Sequence, residues 1–265
     1  QSQNKPAVIC SLWVDGFNSA ATKVNANEHG VVNYKNLHAE FIQKRIEKLM
    51  RQPAKRKANI IGCPLVSAEQ AGQERTLQET YFNTVFQAAL NKHTEHHTVD
   101  SVSQKRVSFG VMRVANIPTC VDLTRFLLSV NLPEDTNLFV MAYHSQQVLL
   151  MRHTQEQHLD AVLKRKEKYN EPPQAFNHPI IRKHLDTTAA KNCLFVLVAT
   201  PVEEVGRDHD FDWAVVEPSS YRSIIQLAGR VRRHRAGEVK NANVGLLQYN
   251  WKAFKNSDEK GPYFI

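Results

Sequence analysis

The chain has 265 residues, of which 42% are hydrophobic and 23% are charged, a composition typical of a globular protein with one large or two modest domains. It contains no run of about 18 apolar residues, so neither a membrane-spanning helix nor a membrane partner is predicted. The formal net charge of +8 favours a polyanionic partner, because lysine and arginine release counterions when they neutralise phosphates.

The first residue is Gln rather than Met, so we expect a processed chain or a piece of a longer one. The opening residues contain no recognisable targeting segment. The four cysteines are far apart and include no Cys-x-x-Cys pair, which predicts buried, reduced thiols and a cytoplasmic location. They indicate no metal site.

Residues 1–100 are predicted to form a mainly helical leader or insert region. Helical periodicity is strong over 33–50 and recurs over 67–93, while 7–17 could form a strand. The His-rich sequence KHTEHHTVDS follows and has few apolar anchors, so it predicts an exposed linker. A metal site there is the less favoured alternative, because its donors lack preorganised helical spacing. These donors would be His93, His96, His97 and Asp100.

Residues 101–265 are predicted to form one α/β domain, because apolar strands alternate with helices along them. Strands are predicted at 106–116, 137–145, 192–200, 213–218 and 243–250, and helices at 118–130, 154–169 and 220–233. Continuous apolar strands separated by helices indicate a parallel sheet covered on both faces. Ligands of such sheets bind outside the carboxyl ends of the strands. The candidate turns are therefore those after Val114, Tyr143, Thr200 and Glu217.

The turn after the third of these strands lies in the sequence VLVATPVEEVGRDHDFDWAVVEP. Thr200 ends the strand, where its hydroxyl and nearby backbone N–H groups could hold a phosphate oxygen. Gly206 allows a tight backbone approach. The carboxylates of Asp208, Asp210 and Asp212 alternate along the chain, and one of them could accept a hydrogen bond from a ribose hydroxyl. Composition alone favours a solvated loop with capping roles for these acids.

The segment QLAGRVRRHR follows and is predicted to be helical. On a helix, Gln226, Arg230 and Arg233 would share one face, with Gly229 beside them. Two neighbouring guanidinium groups would suit phosphate oxygens. An exposed basic helix end would explain the charge but not the placing of the Gln and the Gly. The chain has no Gly-Lys pair and hence no phosphate-cradling loop, so we expect it not to hydrolyse nucleotide by itself.

These segments resemble known motifs. QLAGRVRR is similar to the last motif of superfamily-two helicases, Gln-x-x-Gly-Arg-x-x-Arg, and VATPVEEVGRDHDFD to the motif before it. Over about residues 106–250 the chain resembles the helicase-nuclease of type I CRISPR systems, in particular the type I-F branch. FVMAYHSQQVLLMRH and GVMRVANIPTCVDLTRFL are similar to earlier strand-turn motifs of that family. The resemblance implies a second RecA-like domain, with a parallel sheet and helices on both faces, preceded by a largely helical region.

The resemblance also implies roles for the residues that match its motifs. Arg230 and Arg233 would be arginine fingers that reach the γ-phosphate of ATP held by the first RecA-like lobe, and Gln226 would help to sense the nucleotide. Asp208 would touch the ribose or couple to the fingers. Gly206 and Gly229 would lie on the same nucleotide-binding side.

Four further residues would hold the backbone of single-stranded DNA, and they are Thr200, Asn116, His144 and Ser145. ATP and Mg²⁺ would be bound mainly by the first lobe, with none expected on this chain alone. The whole protein would be an ATP-dependent DNA helicase that is coupled to a nuclease and degrades invader DNA. Its other partners would be an RNA-guided surveillance complex and the CRISPR adaptation integrase.

Two alternatives remain open at this point. The chain could be a lobe of another superfamily-two motor, such as a restriction translocase or an RNA helicase. It could also be a nucleotide-independent module whose basic segment binds nucleic acid.

Overall fold

The computed structural model describes residues 7–14, 19–64, 74–167, 171–204 and 206–256. The chain divides into two compact units, residues 1–53 and 54–265. None of the helices in the described ranges is long and apolar enough to cross a membrane. The four cysteines are free thiols, but only Cys120 and Cys193 are buried, while Cys63 is half-buried and Cys10 is exposed.

The first unit contains an antiparallel hairpin and one helix. Strand β1 (Val8–Val14) pairs with β2 (Ser19–Asn25), and helix α1 (Glu28–Met50) follows. Asn27 caps the helix because its side chain accepts a hydrogen bond from the Gly30 backbone N–H at 2.7 Å. The helix was predicted, but the second strand of the hairpin was not.

The second unit is built on a seven-stranded sheet. Its strands are β3 (Ala58–Ile61), β4 (Thr98–Val99), β5 (Arg106–Arg113), β6 (Thr136–Tyr143), β7 (Asn192–Ala199), β8 (Trp213–Val216) and β9 (Val244–Leu247). Six of them pair in the order β3-β9-β8-β5-β7-β6, and every pairing on this path is parallel. The short β4 pairs antiparallel with the start of β5. The predicted parallel α/β sheet is therefore confirmed.

Helices cover both faces of this sheet. They are α2 (Glu74–His96), α3 (Ile117–Ser129), α4 (Leu149–Leu163), α5 (Pro179–Thr187), α6 (Tyr221–Ala228) and α7 (Trp251–Lys255). Helices α2, α3 and α7 pack on one apolar cluster, and α4, α5 and α6 pack on the other. Side chains along β7 alternate between the two clusters, as the period of a strand requires.

The sheet unit begins at residue 54, much earlier than the predicted boundary at 101. Strand β3 is an edge strand of the sheet, and helix α2 fills the core with Leu77, Tyr81 and Phe86, each at most 3% exposed. The strand escaped prediction because it has only four residues and a largely exposed pattern.

The expected exposed linker at 92–101 is wrong. Helix α2 continues to His96, and Lys92, His93 and Asp100 are buried. The Nδ1 of His93 lies 2.7 Å from the Ser108 hydroxyl, and the Asp100 carboxylate binds Arg182 at 2.8 Å. These groups are engaged with the sheet unit, and no metal-binding cluster of three or more donors occurs within the described residues.

Helix α4 also differs from its prediction at 154–169. It begins at Leu149 and ends at Leu163. The chain leaves the helix there, and Arg165 turns inward to bind the Asp212 carboxylate at 2.8 Å while only 4% exposed. A buried ion pair thus replaces the last predicted helical turn.

Candidate functional site

Three neighbouring strands end at the positions that the sequence selected for nucleic-acid contact. Asn116 follows β5 and precedes α3, Thr200 follows β7, and His144 and Ser145 follow β6. Since β5, β7 and β6 are adjacent and parallel, their carboxyl ends lie along one edge of the sheet. The Thr200 N–H donates to the Tyr143 carbonyl at 3.1 Å, which fixes the ends of β7 and β6 together.

The turn after β6 is closed by a side chain. The His144 backbone N–H donates to Gln147 Oε1 at 3.2 Å, and Gln147 Nε2 donates to the Ala142 carbonyl at 2.9 Å. Ser145 is exposed at the tip. Asn116 is the N-cap residue of α3 and has an extended backbone, but its side-chain amide makes no capping hydrogen bond to the helix.

The segment after β7 leads from one end of the sheet towards the start of β8. Residues 201–204 form a short 3₁₀ turn, and Gly206 has φ +72°, a left-handed conformation that favours glycine. Apart from its chain neighbours, no described residue lies within 4 Å of the place where its Cβ would be, so the backbone conformation rather than crowding accounts for this glycine.

The predicted helix at 220–233 is wrong at its end. Helix α6 stops at Ala228, with Gly229 as its cap, so Gln226, Arg230 and Arg233 do not share a helical face. The chain instead runs beside residues 208–212. Val231 forms a parallel bridge with Phe211, and both are at most 1% exposed. Burying these two side chains outweighs the gain from another helical turn.

Arg230 lies just beyond this helix and is 7% exposed. One Nη donates to the Glu204 carbonyl at 2.9 Å. Its Nε and its other Nη are buried and have no hydrogen-bond partner within the described part of the chain. Burial lowers the pKa of Arg230 from its ordinary value, and the charge of Arg233 lowers it further. Arg230 therefore presents two unused donors beside the loop that follows β7.

Arg233 and Asp208 are paired. The Arg233 Nε donates to Asp208 Oδ1 at 2.7 Å, and His234 Nε2 lies 2.8 Å from the same oxygen. Burial alone would raise the pKa of Asp208, but hydrogen bonds from His234 and Arg233 outweigh it and hold the pKa below its usual range. Both partners remain more than a third exposed, so this pair faces solvent.

The other two acids of the triplet are buried, contrary to the solvated loop that composition favoured. The Arg235 guanidinium binds Asp210 at 2.7 Å and also binds Asp212, which receives the Phe109 N–H at 2.7 Å. Although burial raises the pKa of Asp212, the charges of Arg165 and Arg235 bring it down to about 2. Asp210 and Asp212 therefore hold the segment in place and are not available to a ligand.

Sequence reasoning also missed a buried ion pair at the end of β5, between Arg113 and Glu204. Arg113 is 2% exposed, and it donates to Glu204 Oε1 at 2.8 Å, to the Glu217 carbonyl at 3.0 Å and to the Ser223 hydroxyl at 2.8 Å. It thus joins β5, the loop after β7, the end of β8 and α6. The available signal was an arginine at the end of an otherwise apolar strand, which requires a partner when buried.

The fold and the two paired segments define a class of protein. A parallel sheet covered on both faces, with a Gly-x-Asp loop after one strand and a Gln-x-x-Gly-Arg-x-x-Arg segment after the next, forms the second RecA-like domain of a superfamily-two helicase. Residues 106–236 match the family model described as CRISPR-associated nuclease/helicase Cas3, C-terminal. This match confirms the resemblance that was predicted from the motifs.

Two curated relatives extend the similarity over nearly the whole chain. The chain is 38% identical over 260 residues to CRISPR-associated nuclease/helicase Cas3 subtype I-F/YPEST of Pseudomonas aeruginosa, covering 94% of this chain and 22% of the relative. A protein of the same name from Pectobacterium atrosepticum is 35% identical over 259 residues, covering 96% and 22%. The chain therefore spans about a fifth of the length of these relatives, and both belong to the predicted I-F branch.

Solved Cas3 structures are also similar to the chain. The crystal structure of T. fusca Cas3-ATP matches with a TM-score of 0.47 and 16% identity, covering 81% of this chain and 20% of that one. T. fusca Cas3-ADP matches with a TM-score of 0.46.

Proposed function

We propose that this chain is the C-terminal motor lobe of an ATP-dependent single-stranded DNA helicase that is coupled to a nuclease in CRISPR interference. The curated relatives are named nuclease/helicase, and the chain contains the two paired helicase segments but no phosphate-cradling loop. ATP and Mg²⁺ would therefore be bound mainly by a first RecA-like lobe. The chain by itself would be inactive.

Arg230 is the observation that carries this proposal. Leaving a buried donor without a partner costs about 1–3 kcal/mol, so its two unused donors favour an anionic oxygen from outside the chain. A phosphate suits them because a guanidinium is permanently charged, and each of these nitrogens would donate to an anionic oxygen. The residues present thus suit the terminal phosphate of ATP, and transfer of this phosphate to water would supply the energy of the motor. Arg230 would stabilise the charge that develops there.

The neighbouring residues would complete the nucleotide side. Arg233 would act as the second finger after exchanging its Asp208 partner for phosphate, since both side chains are exposed enough to rearrange. Asp208 would then couple the fingers to the loop. We favour this role over the alternative, which is contact with the ribose. Gln226 on α6 would sense the nucleotide, and Gly206 and Gly229 would shape the backbone on either side.

The strand ends would form the DNA side. Thr200, Asn116, His144 and Ser145 lie along one edge of the sheet, where their hydroxyl, amide and imidazole groups would bind phosphates without reading sequence. Such contacts suit a translocase that steps along any strand. The first lobe, an RNA-guided surveillance complex and the CRISPR adaptation integrase would be the protein partners.

The decisive experiment substitutes Arg230 in the complete protein, which includes the first lobe. We expect Arg230→Ala to lower kcat for DNA-dependent ATP hydrolysis by roughly 10³ to 10⁵ while the Kd for single-stranded DNA stays within about twofold. Arg222→Ala, at an exposed position on helix α6, which ends shortly before Arg230, is the matched control. Loss of DNA affinity with hydrolysis intact would contradict the proposal and favour a nucleotide-independent binding module.

A further inference from the structure

Successive side chains of the segment 207–210 alternate between two elements of the sheet unit. Arg207 and His209 point to helix α4, whereas Asp208 and Asp210 bind the arginine-rich segment 233–235. This alternation is the period of two of an extended chain. One short segment therefore lies between α4 and the proposed nucleotide side.

On α4 the contacts fall on one helical face. Glu156 binds Arg207, Asp160 Oδ1 lies 3.2 Å from His209 Nε2, and the Leu163 carbonyl accepts the Asp210 N–H at 2.9 Å. These three helix residues are spaced by four and three, so they lie above one another on the same stripe. The helix and the segment are joined at three successive turns.

The contact at His209 is fully buried. His209 and Glu203 are both 0% exposed, and His209 Nδ1 lies 2.6 Å from Glu203 Oε1. The imidazole thus lies between the carboxylates of Glu203 and Asp160. Since a buried polar group is costly to leave unpaired, this contact resists sliding of the segment along the helix.

The other end of α4 is tied to the proposed DNA-binding turn. Arg152 donates to the Ser145 carbonyl at 3.3 Å and lies 3.5 Å from Glu156 Oε1. The Tyr143 hydroxyl, on the strand that leads into this turn, donates to Glu156 at 2.7 Å and accepts from Arg207 at 2.8 Å. Glu156 is therefore joined to the turn through Arg152, and it directly contacts Arg207, the residue before Asp208.

We propose that helix α4 couples DNA binding to the nucleotide side, with Glu156, Arg207 and His209 as positioning residues. The inference rests on the proposed function and states how binding at the DNA side affects the nucleotide side. A phosphate bound at 144–145 changes the position of Arg152 and hence of Glu156. Arg207 follows Glu156, and Asp208, the next residue, releases or holds Arg233. No step requires the DNA to approach the nucleotide.

The test measures DNA stimulation of ATP hydrolysis in the complete protein. Arg207→Gln is expected to reduce the ratio of DNA-stimulated to basal kcat by about fivefold or more, with basal kcat and the Kd for oligo-dT within about twofold of wild type. Arg207→Lys retains a cation for Glu156 and should restore part of the stimulation. Glu156→Gln provides a second, independent disruption of the same pair and should act in the same direction.

Arg182→Gln is the matched control, because Arg182 is 20% exposed, close to the 23% of Arg207, and binds Asp100 and Asp186, which are not members of this network. If wild type and this control are stimulated by DNA and both disrupting variants are stimulated equally, the coupling inference fails and the proposed function stands. If wild type shows no DNA-stimulated hydrolysis at all, the proposed function itself fails. Where Arg207→Gln lowers the melting temperature, Glu156→Gln decides the result.

Discussion

At the scale of residues, Arg230 and Arg235 differ in how their donors are used. Arg235 binds Asp210, Asp212 and the Phe211 carbonyl, and these contacts raise its pKa further above its ordinary value despite its burial. Arg230 makes one hydrogen bond and keeps two buried donors unused. A buried arginine is stable when its donors are satisfied, so we interpret Arg235 as a structural group and propose Arg230 as the one that binds a ligand.

His93 gives a prediction for acid stability. Its Nδ1 lies 2.7 Å from Ser108 Oγ, and this hydroxyl also accepts the Trp213 Nε1–H at 3.0 Å. Burial lowers the pKa of His93 from 6.5 to about 4. The unfolded chain therefore takes up the proton first, and the stability from His93 is present above about pH 6.5 and lost as the pH falls towards 4.

His93→Gln retains an acceptor for Ser108 and removes this titration. We expect the free energy of unfolding of wild type to fall by about 3 kcal/mol more than that of the variant between pH 7 and 4, as measured by urea denaturation. His153→Gln, at an exposed position, controls for the loss of one imidazole. Equal pH dependence in wild type and His93→Gln would show that this histidine is not held neutral.

At the scale of elements, the sheet could be predicted and the arginine segment could not. Strands β5 and β7 could be predicted because each is a long apolar run, which a local sequence pattern shows. The end of α6 depends on the contact between Val231 and Phe211, which are twenty positions apart, and no local pattern contains such a contact. The residues of the site were thus found by their motif, while their arrangement required the tertiary structure.

The pairing of β5 with β8 gives a prediction about packing. Gly110 lies opposite Trp213, and a Cβ at Gly110 would lie 2.2 Å from the indole ring. Trp213 is 0% exposed and hydrogen-bonded to Ser108, so the ring cannot move freely. Gly110→Ala should lower the free energy of unfolding by roughly 1–3 kcal/mol, measured by urea denaturation.

Gly62→Ala is the matched control, because the nearest atom there is 3.9 Å from the added Cβ. Similar effects of the two substitutions would contradict tight packing between β5 and the indole.

At the scale of the whole molecule, the sheet unit contains its own core. Every member of both hydrophobic clusters lies after residue 60. We therefore expect residues 54–265 to unfold in one cooperative thermal transition. Residues 101–265 should not, because they lack β3 and the core-filling side chains of α2. Circular dichroism melts of the two fragments test this, and a cooperative melt of the shorter one would place the boundary at 101.

The central claim is that Arg230 contacts the terminal phosphate only when charge develops on it. The most direct test compares the affinities of the complete protein for ADP and for ADP with aluminium fluoride, which mimics the transferring phosphoryl group. We predict that Arg230→Ala weakens binding of the aluminium fluoride complex by about 100-fold or more and leaves ADP affinity unchanged. Equal affinities of wild type and variant for both ligands, or an equal loss for both, would contradict the account.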